Sequence, residues 1–244
     1  MLVKQKTKYI QTLGQKKFRQ QEGVFIAEGP KLVKEILEYQ PASIKEIFAA
    51  KEWIDANKKN LKGIVATEIT EVELEKISQL STANKVLAVV KQFEEDKDII
   101  TKEKITLALD CIQDPGNLGA IIRIADWFGV EQIVCSNDSA DVYNPKVVQA
   151  TMGSIARVKV FYKNLGEWLA MQKDIRVYAA ALEGQDLTGM KKLSEGIIVI
   201  GNESKGISES VLKLCNVKIT IPKKGRAESL NAAVAAALIL SHIT

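Results

Sequence analysis

The stretch ITIPKKGRAESLNAAVAAALILSHI, Ile219 to Ile243, decides how the rest of the chain is read. Ile219 and Ile221 alternate with Thr220 as in a short strand, and Pro222 stops it. Lys223 to Arg226 form a basic loop with one glycine. Ser229 is expected to cap a helix that begins at Leu230. From there to Ile243 the residues are almost all Ala, Val, Leu and Ile, with no acidic or basic side chain before His242. A helix apolar on every face is expected to be buried on every face, against its own sheet and a further surface such as a second subunit. The plain reading is a core helix with a polar cap. The functional one notes that Ser229 and Asn231 sit where backbone N–H groups and polar side chains can meet a ligand.

Working outward, residues 105–244 alternate strand and helix patterns, which predicts an α/β domain with a mostly parallel sheet. Ile105–Leu109 reads as a buried strand and Gly196–Ile200 as a continuous apolar one, as parallel strands should. Ligands of such sheets sit beyond the carboxyl ends of the strands. Three loops lie there: Asp110–Asn117, Gly201–Ser208 and Pro222–Ser229. Asn117 is expected to cap a helix Leu118–Phe128. The GNESKG spacing at Gly201–Gly206 fails as a phosphate loop because Ile207 stands where lysine is needed, and no strand is followed by G-x-G-x-x-G. Glu203 reads either as a solvated loop acid or as a carboxylate that orients a nearby donor. Arg123 is expected on the packed side of an apolar helix, where it needs an acceptor or a ligand. Ion pairing to Glu203 or Asp126 is the structural alternative. Only five of the 34 basic residues are arginine, and arginine suits planar, bidentate recognition of phosphate or carboxylate.

Residues 1–92 form a second, smaller α/β pattern, and the charged FEEDKDIITKEK, residues 93–104, is expected to be a linker. The whole chain has 244 residues and a net charge of +4. Residues 1–34 carry eight basic and two acidic side chains. Lys16, Lys17 and Arg19 in that region read as a phosphate-facing patch, with a solvated helix face as the alternative. Cys111, Cys135 and Cys215 show no metal-ligand spacing, and His242 is the single histidine, so zinc chemistry and histidine triads are not expected. The apolar run Ala232–Leu240 is too short to span a bilayer, and the expected location is cytoplasmic.

Three segments together, NLGAIIRIADWFG, IVIGNESKGIS and ITIPKKGRAESLNAAVAAALIL, resemble in order the three signature motifs of the SpoU (TrmH-type) branch of the SPOUT RNA methyltransferases. KKFRQQEGVFIAEGPKLV resembles the ribosomal-protein-like substrate-binding domain of many rRNA-directed members. Where the family often has a Pro-Gln-Gly-like turn, this chain has Ala83-Asn84-Lys85. The resemblance implies methyl transfer from S-adenosylmethionine to a ribose 2′-hydroxyl of RNA, rRNA in preference to tRNA. It also implies a C-terminal trefoil knot and a homodimer formed through the C-terminal domain. By motif it places the cofactor against Gly201, Ile221 and Leu230, with Ala180, Leu182, Asn202 and Ser229 nearby. It assigns Arg123 the key catalytic role, described as the base, with Asn117, Glu203, Ser229 and Asn231 orienting it and the substrate; because a guanidinium is a poor base at neutral pH, the alternative is that Arg123 holds the adjacent phosphate and stabilises the developing 2′-oxyanion. A non-catalytic RNA- or ribosome-binding factor on the same fold is the competing class.

Overall fold

A computed structural model describes residues 2–94 and 98–244. Of the expected linker 93–104, residues 95–97 lie outside the described residues. The chain divides into two units, Met1–Glu94 with Asp141–Ala156, and Glu95–Ala140 with Arg157–Thr244. The segment 141–156, expected from sequence to belong with the C-terminal domain, therefore packs with the first unit.

The first unit contains helices α1 (Lys4–Thr12), α2 (Lys16–Glu22), α3 (Pro30–Tyr39), α4 (Lys51–Asn57) and α5 (Glu71–Ile77). Its strands β1 (Val24–Glu28), β2 (Ile44–Ala49), β3 (Ala66–Glu68) and β4 (Val86–Lys91) form a sheet of order β1-β4-β2-β3. Strand β3 begins only at Ala66, because Gly63 takes a left-handed φ of 81° in the preceding turn. Lys85, the last residue of the Ala-Asn-Lys turn, also adopts positive φ, at 55°. Helix α5 is closed by a capping box: Thr70 Oγ1 accepts from Glu73 N, and Glu73 Oε2 accepts from Thr70 N at 2.9 Å.

Arg19 is a correction to the expected RNA patch. It is 1% exposed and donates to the carbonyls of Leu13 and Gly14 at 3.0 and 2.8 Å, just past the end of α1. Its remaining arm pairs with Asp141 at 2.5 Å. The guanidinium thus satisfies helix-terminal carbonyls that would otherwise be unpaired. Lys16 and Lys17 are exposed. Helix α7 (Pro145–Thr151) lies beyond Asp141, and Tyr143 stacks on Phe25 with ring centroids 4.8 Å apart. These contacts are why 141–156 joins the first unit.

The second unit contains β5 (Ile105–Leu109), α6 (Pro115–Trp127), β6 (Gln132–Ser136), β7 (Lys159–Lys163), α8 (Leu165–Ala170), β8 (Val177–Asp186), β9 (Gly196–Ile200), α9 (Glu209–Leu212), β10 (Val217–Thr220) and α10 (Ala232–Ile243). Its six strands run in the order β10-β8-β9-β5-β6-β7, every pair parallel. Ile197, Ile198, Val199, Leu107 and Leu109 are fully buried, so the two central strands need apolar residues on both faces. The chain proceeds outward from β5 through β6 to β7 and then builds β8, β9 and β10 on the other side. The strand order therefore reverses between β5 and β9, the point in such sheets beyond whose carboxyl ends ligands bind.

Candidate active site

Three loops meet beyond those strand ends. The first leads from β5 into α6. Asp114, not Asn117, is the N-cap: its side chain accepts from Asn117 N at 2.8 Å, and Pro115 occupies the first helical turn, where no N–H is required. Asn117 lies inside that turn, so its amide group is free to face outward. Helix α10 likewise starts later than expected. Asn231, not Ser229, is its cap, its Oδ1 accepting from Ala233 N at 2.9 Å and Val234 N at 3.2 Å.

The capping geometry fixes the direction of a side-chain relay. Because Asn231 Oδ1 is committed to backbone N–H groups, its Nδ2 must donate, and it does so to Asn117 Oδ1 at 2.8 Å. Asn117 Nδ2 is then turned toward Glu203 and donates to its Oε1. One residue from each of the three loops is thereby joined, Asn231 to Asn117 to Glu203, beside the N-termini of two long helices whose dipoles favour negative charge.

The Gly201–Ser208 loop is shaped by close backbone approach. A Cβ on Gly201 would lie 2.4 Å from the backbone carbon of Gly206, so only glycine fits. Asn202 N and Gly206 N donate to each other's residue at 3.0 and 2.8 Å. Asn202 Oδ1 accepts from Ser204 N and Lys205 N, and its Nδ2 reaches Cys111 O at 3.0 Å. Asp110 accepts from Ser208 N at 2.7 Å and ties the far end of the loop to β5.

Sequence reasoning missed the residues that brace the first loop. Cys111 has a φ of 58°, and its N–H donates to Ser136 Oγ at 2.8 Å. Ser136 in turn donates to Asp138 at 2.5 Å, and Ser139 Oγ accepts from Ile112 N at 3.2 Å. The polar cluster Ser136-Asn137-Asp138-Ser139 directly after β6 was the available signal. Burial pushes the Cys111 thiol up, with Asp138 adding to the effect. The Ser136 hydroxyl, and then Cys111, hold the Asp138 carboxyl below the usual range.

The remaining expected residues are placed as follows. Arg123 is exposed on α6, contrary to the expected packed position, because the buried side of that helix is filled by Leu118, Ile121, Ile122 and Ala125. Neither structural alternative holds: Asp126 is engaged by Arg157 at 2.7 Å and Glu203 by Asn117. Ser229 is exposed and is not hydrogen-bonded to the relay among the described residues. One face of α10 is uncovered in the single chain: Val234 and Leu238 are exposed, as is Trp127 on α6, at 84%.

Between Lys218 and Ile219 of β10, the pairing partner on β8 jumps from Ala179 to Gln185, so residues 180–184 loop out. A Cβ on Gly184 would lie 2.5 Å from Lys218 O, and Thr220 Oγ1 donates to Leu182 O at 3.0 Å. Leu182 is thus held beside Thr220 at the end of β10, the residue before Ile221. Leu182 is 73% exposed and Leu230 is also exposed, which leaves large apolar side chains uncovered at this edge.

Residues 104–241 match the SpoU rRNA Methylase family, and residues 4–88 match the MRM3-like substrate binding domain. The 23S rRNA (guanosine(2553)-2′-O)-methyltransferase RlmP of Bacillus subtilis is 32% identical over 98% of this chain and 96% of its own. The AdoMet-bound rRNA methyltransferase from Sinorhizobium meliloti superposes with a TM-score of 0.88 at 29% identity, covering 100% of this chain and 95% of that one. The SpoU methyltransferase AviRb from Streptomyces viridochromogenes, at 24% identity and a TM-score of 0.84 over 97% of this chain and 96% of its own, shares the fold. With three ordered motifs joined in one relay and both parts of the chain matched, this protein belongs to the SpoU rRNA methylase family.

Proposed function

We propose that the protein transfers a methyl group from S-adenosylmethionine to a ribose 2′-hydroxyl of rRNA. The observation that carries this reading is the relay Asn231–Asn117–Glu203, which joins all three motif loops at the sheet's reversal point. The residues fit the cofactor. Gly201 lets its loop fold back on Gly206, Leu182 and Leu230 offer uncovered apolar surface, and the excursion of β8 brings Leu182 beside Thr220, the residue before Ile221. Asn202 shapes the loop, and Ser229 lies beside Leu230 in the chain. Bound there, the cofactor supplies an electrophilic methyl group whose departure needs no acid.

The protein's own task is to align a weak nucleophile and remove its proton. A guanidinium is fully protonated at neutral pH and is a poor base. Exposed Arg123, with no acceptor among the described residues, is suited to holding the substrate phosphate and the developing 2′-oxyanion. A carboxylate can serve as the general base. Glu203 is oriented through Oε1 by Asn117, and its Oε2 has no partner among the described residues.

The uncovered Trp127, Val234 and Leu238 on α6 and α10 support a homodimer formed through the C-terminal domain. Family membership supports the trefoil knot. Residues 1–94 and 141–156 hold 17 basic and 13 acidic side chains, so the whole net charge of +4 belongs to the first unit. Exposed Lys16 and Lys17 there support RNA binding, and the named relative supports rRNA over tRNA and thus a cytoplasmic site of action.

The test is transfer of labelled methyl to rRNA lacking its native modifications, followed by nuclease mapping. Label at one ribose is expected. Arg123→Ala should bind S-adenosylhomocysteine normally and lose about 100- to 1,000-fold in rate. Label in tRNA alone would overturn the substrate, and a fully active Arg123→Ala would overturn the role of that side chain.

A further inference from the structure

Residues 95–140 and 157–244 contain 17 basic and 17 acidic side chains, so the second unit has no net charge with which to attract RNA. Any phosphate attraction in it must be local. Cations already held in pairs contribute little: Lys104 is paired with Glu131, Arg157 with Asp126 and Lys213 with Glu209. The loop between β10 and α10 is different. Within residues 222–231 it carries Lys223, Lys224 and Arg226 against Glu228, all of them exposed, and none of the three cations is in an ion pair or hydrogen bond among the described residues.

This loop is anchored at both ends of the site. Thr220 ties its start to Leu182, and Asn231 ties its end to Asn117. Arg226 stands five residues before Asn231, so its Cα lies within about 18 Å of the relay even at full stretch. A Cβ on Gly225 would meet nothing within 4 Å, so no packing fixes the loop inward. Three unpaired cations on an open loop, pinned beside a site that must admit a polyanion, match a phosphodiester backbone. Exposed cations gain such binding by releasing condensed counterions.

We propose that Lys223, Lys224 and Arg226 form a phosphate-binding site for the RNA strand that carries the target ribose, separate from the lysines of the first unit. The inference rests on the RNA reading above and deepens it.

The test uses the full-length protein with bound S-adenosylhomocysteine and a labelled 12-nucleotide oligouridylate, titrated from 0.1 to 1 M salt. In K223Q/K224Q/R226Q the slope of log affinity against log salt should fall by about 2, from about 0.7 per cation removed. If the lines converge at 1 M, affinity at 0.1 M falls about 100-fold by the same slope. The charge-keeping K223R/K224R/R226K should bind as the parent protein does. So should K173Q/K191Q/K192Q, which removes the same charge elsewhere on the second unit. An unchanged slope in the loop variant would overturn the proposal, as would an equal fall in the control variant. Lost S-adenosylhomocysteine binding at an unchanged RNA slope would assign the loop to the cofactor instead. The functional reading fails separately, through absent cofactor binding and methyl transfer in the parent protein.

Discussion

Replacing Asn231 separates two jobs that one side chain performs. Its Oδ1 caps α10 and its Nδ2 sets the orientation of Asn117. Asn231→Ala removes the cap, which costs about 1 kcal/mol. In a chain of this length that lowers the melting temperature by about 2–4 °C. Asn231→Asp keeps a capping oxygen of equal quality, so stability should hold. Activity should rank the other way. In the alanine variant Asn117 can still donate to Glu203, and the loss is that of one ordinary hydrogen bond, about 0.5–1.5 kcal/mol or roughly 2- to 13-fold. In the aspartate variant an acceptor faces Asn117 Oδ1. Asn117 then turns its Nδ2 toward residue 231 and presents an oxygen to Glu203. Losing a hydrogen bond to a charged group costs about 1.5–3 kcal/mol, or roughly 13- to 160-fold in rate. The assay is initial methyl-transfer rate at saturating cofactor, paired with calorimetric melting. The refuting result is activity that follows stability, with Asn231→Ala the slower enzyme.

Two further outcomes concern the first unit. Arg19→Ala should destabilise that unit by about 3 kcal/mol, because it strips Asp141 and two helix-terminal carbonyls of their donor; Lys16→Ala with Lys17→Ala should leave the melting temperature unchanged while reducing the salt slope of RNA binding by about 1.4. Thr70 N–H, and then Leu2 N–H, hold the Glu73 carboxyl down to about 2 from an ordinary 4.5. Its folded pKa is depressed, so its contribution is present above pH 4.5 and lost as pH falls toward 2; Glu73→Gln should flatten acid unfolding in that window, followed by circular dichroism.

The alternation of apolar strands and helices in residues 105–244 was enough to predict the parallel sheet, because strands buried on both faces can hardly be built from other residues. The three motif loops could be placed at strand ends for the same reason. Local chemistry also determined that polar caps would stand at the starts of α6 and α10. Which residue caps was decided by tertiary structure. Asp114 and Asn231 won because helix starts depend on where the incoming loops are tied, and that freed Asn117 and turned Asn231 toward it.

Arg123 and Arg19 show the limit most plainly. Sequence context suggested a packed Arg123 and a phosphate-facing Arg19, and the structure exchanges them. One turn of helix decides which face a residue occupies, and Arg19 is claimed by Asp141, 122 positions away in the chain. The brace of Ser136, Asp138 and Cys111, the looped-out residues 180–184 and the placement of 141–156 with the first unit likewise depend on pairings between distant segments. Periodicity reports only which face of an element is apolar. It carries no information about which distant groups will satisfy the polar atoms on the other face, and those long-range hydrogen bonds are what assemble the site.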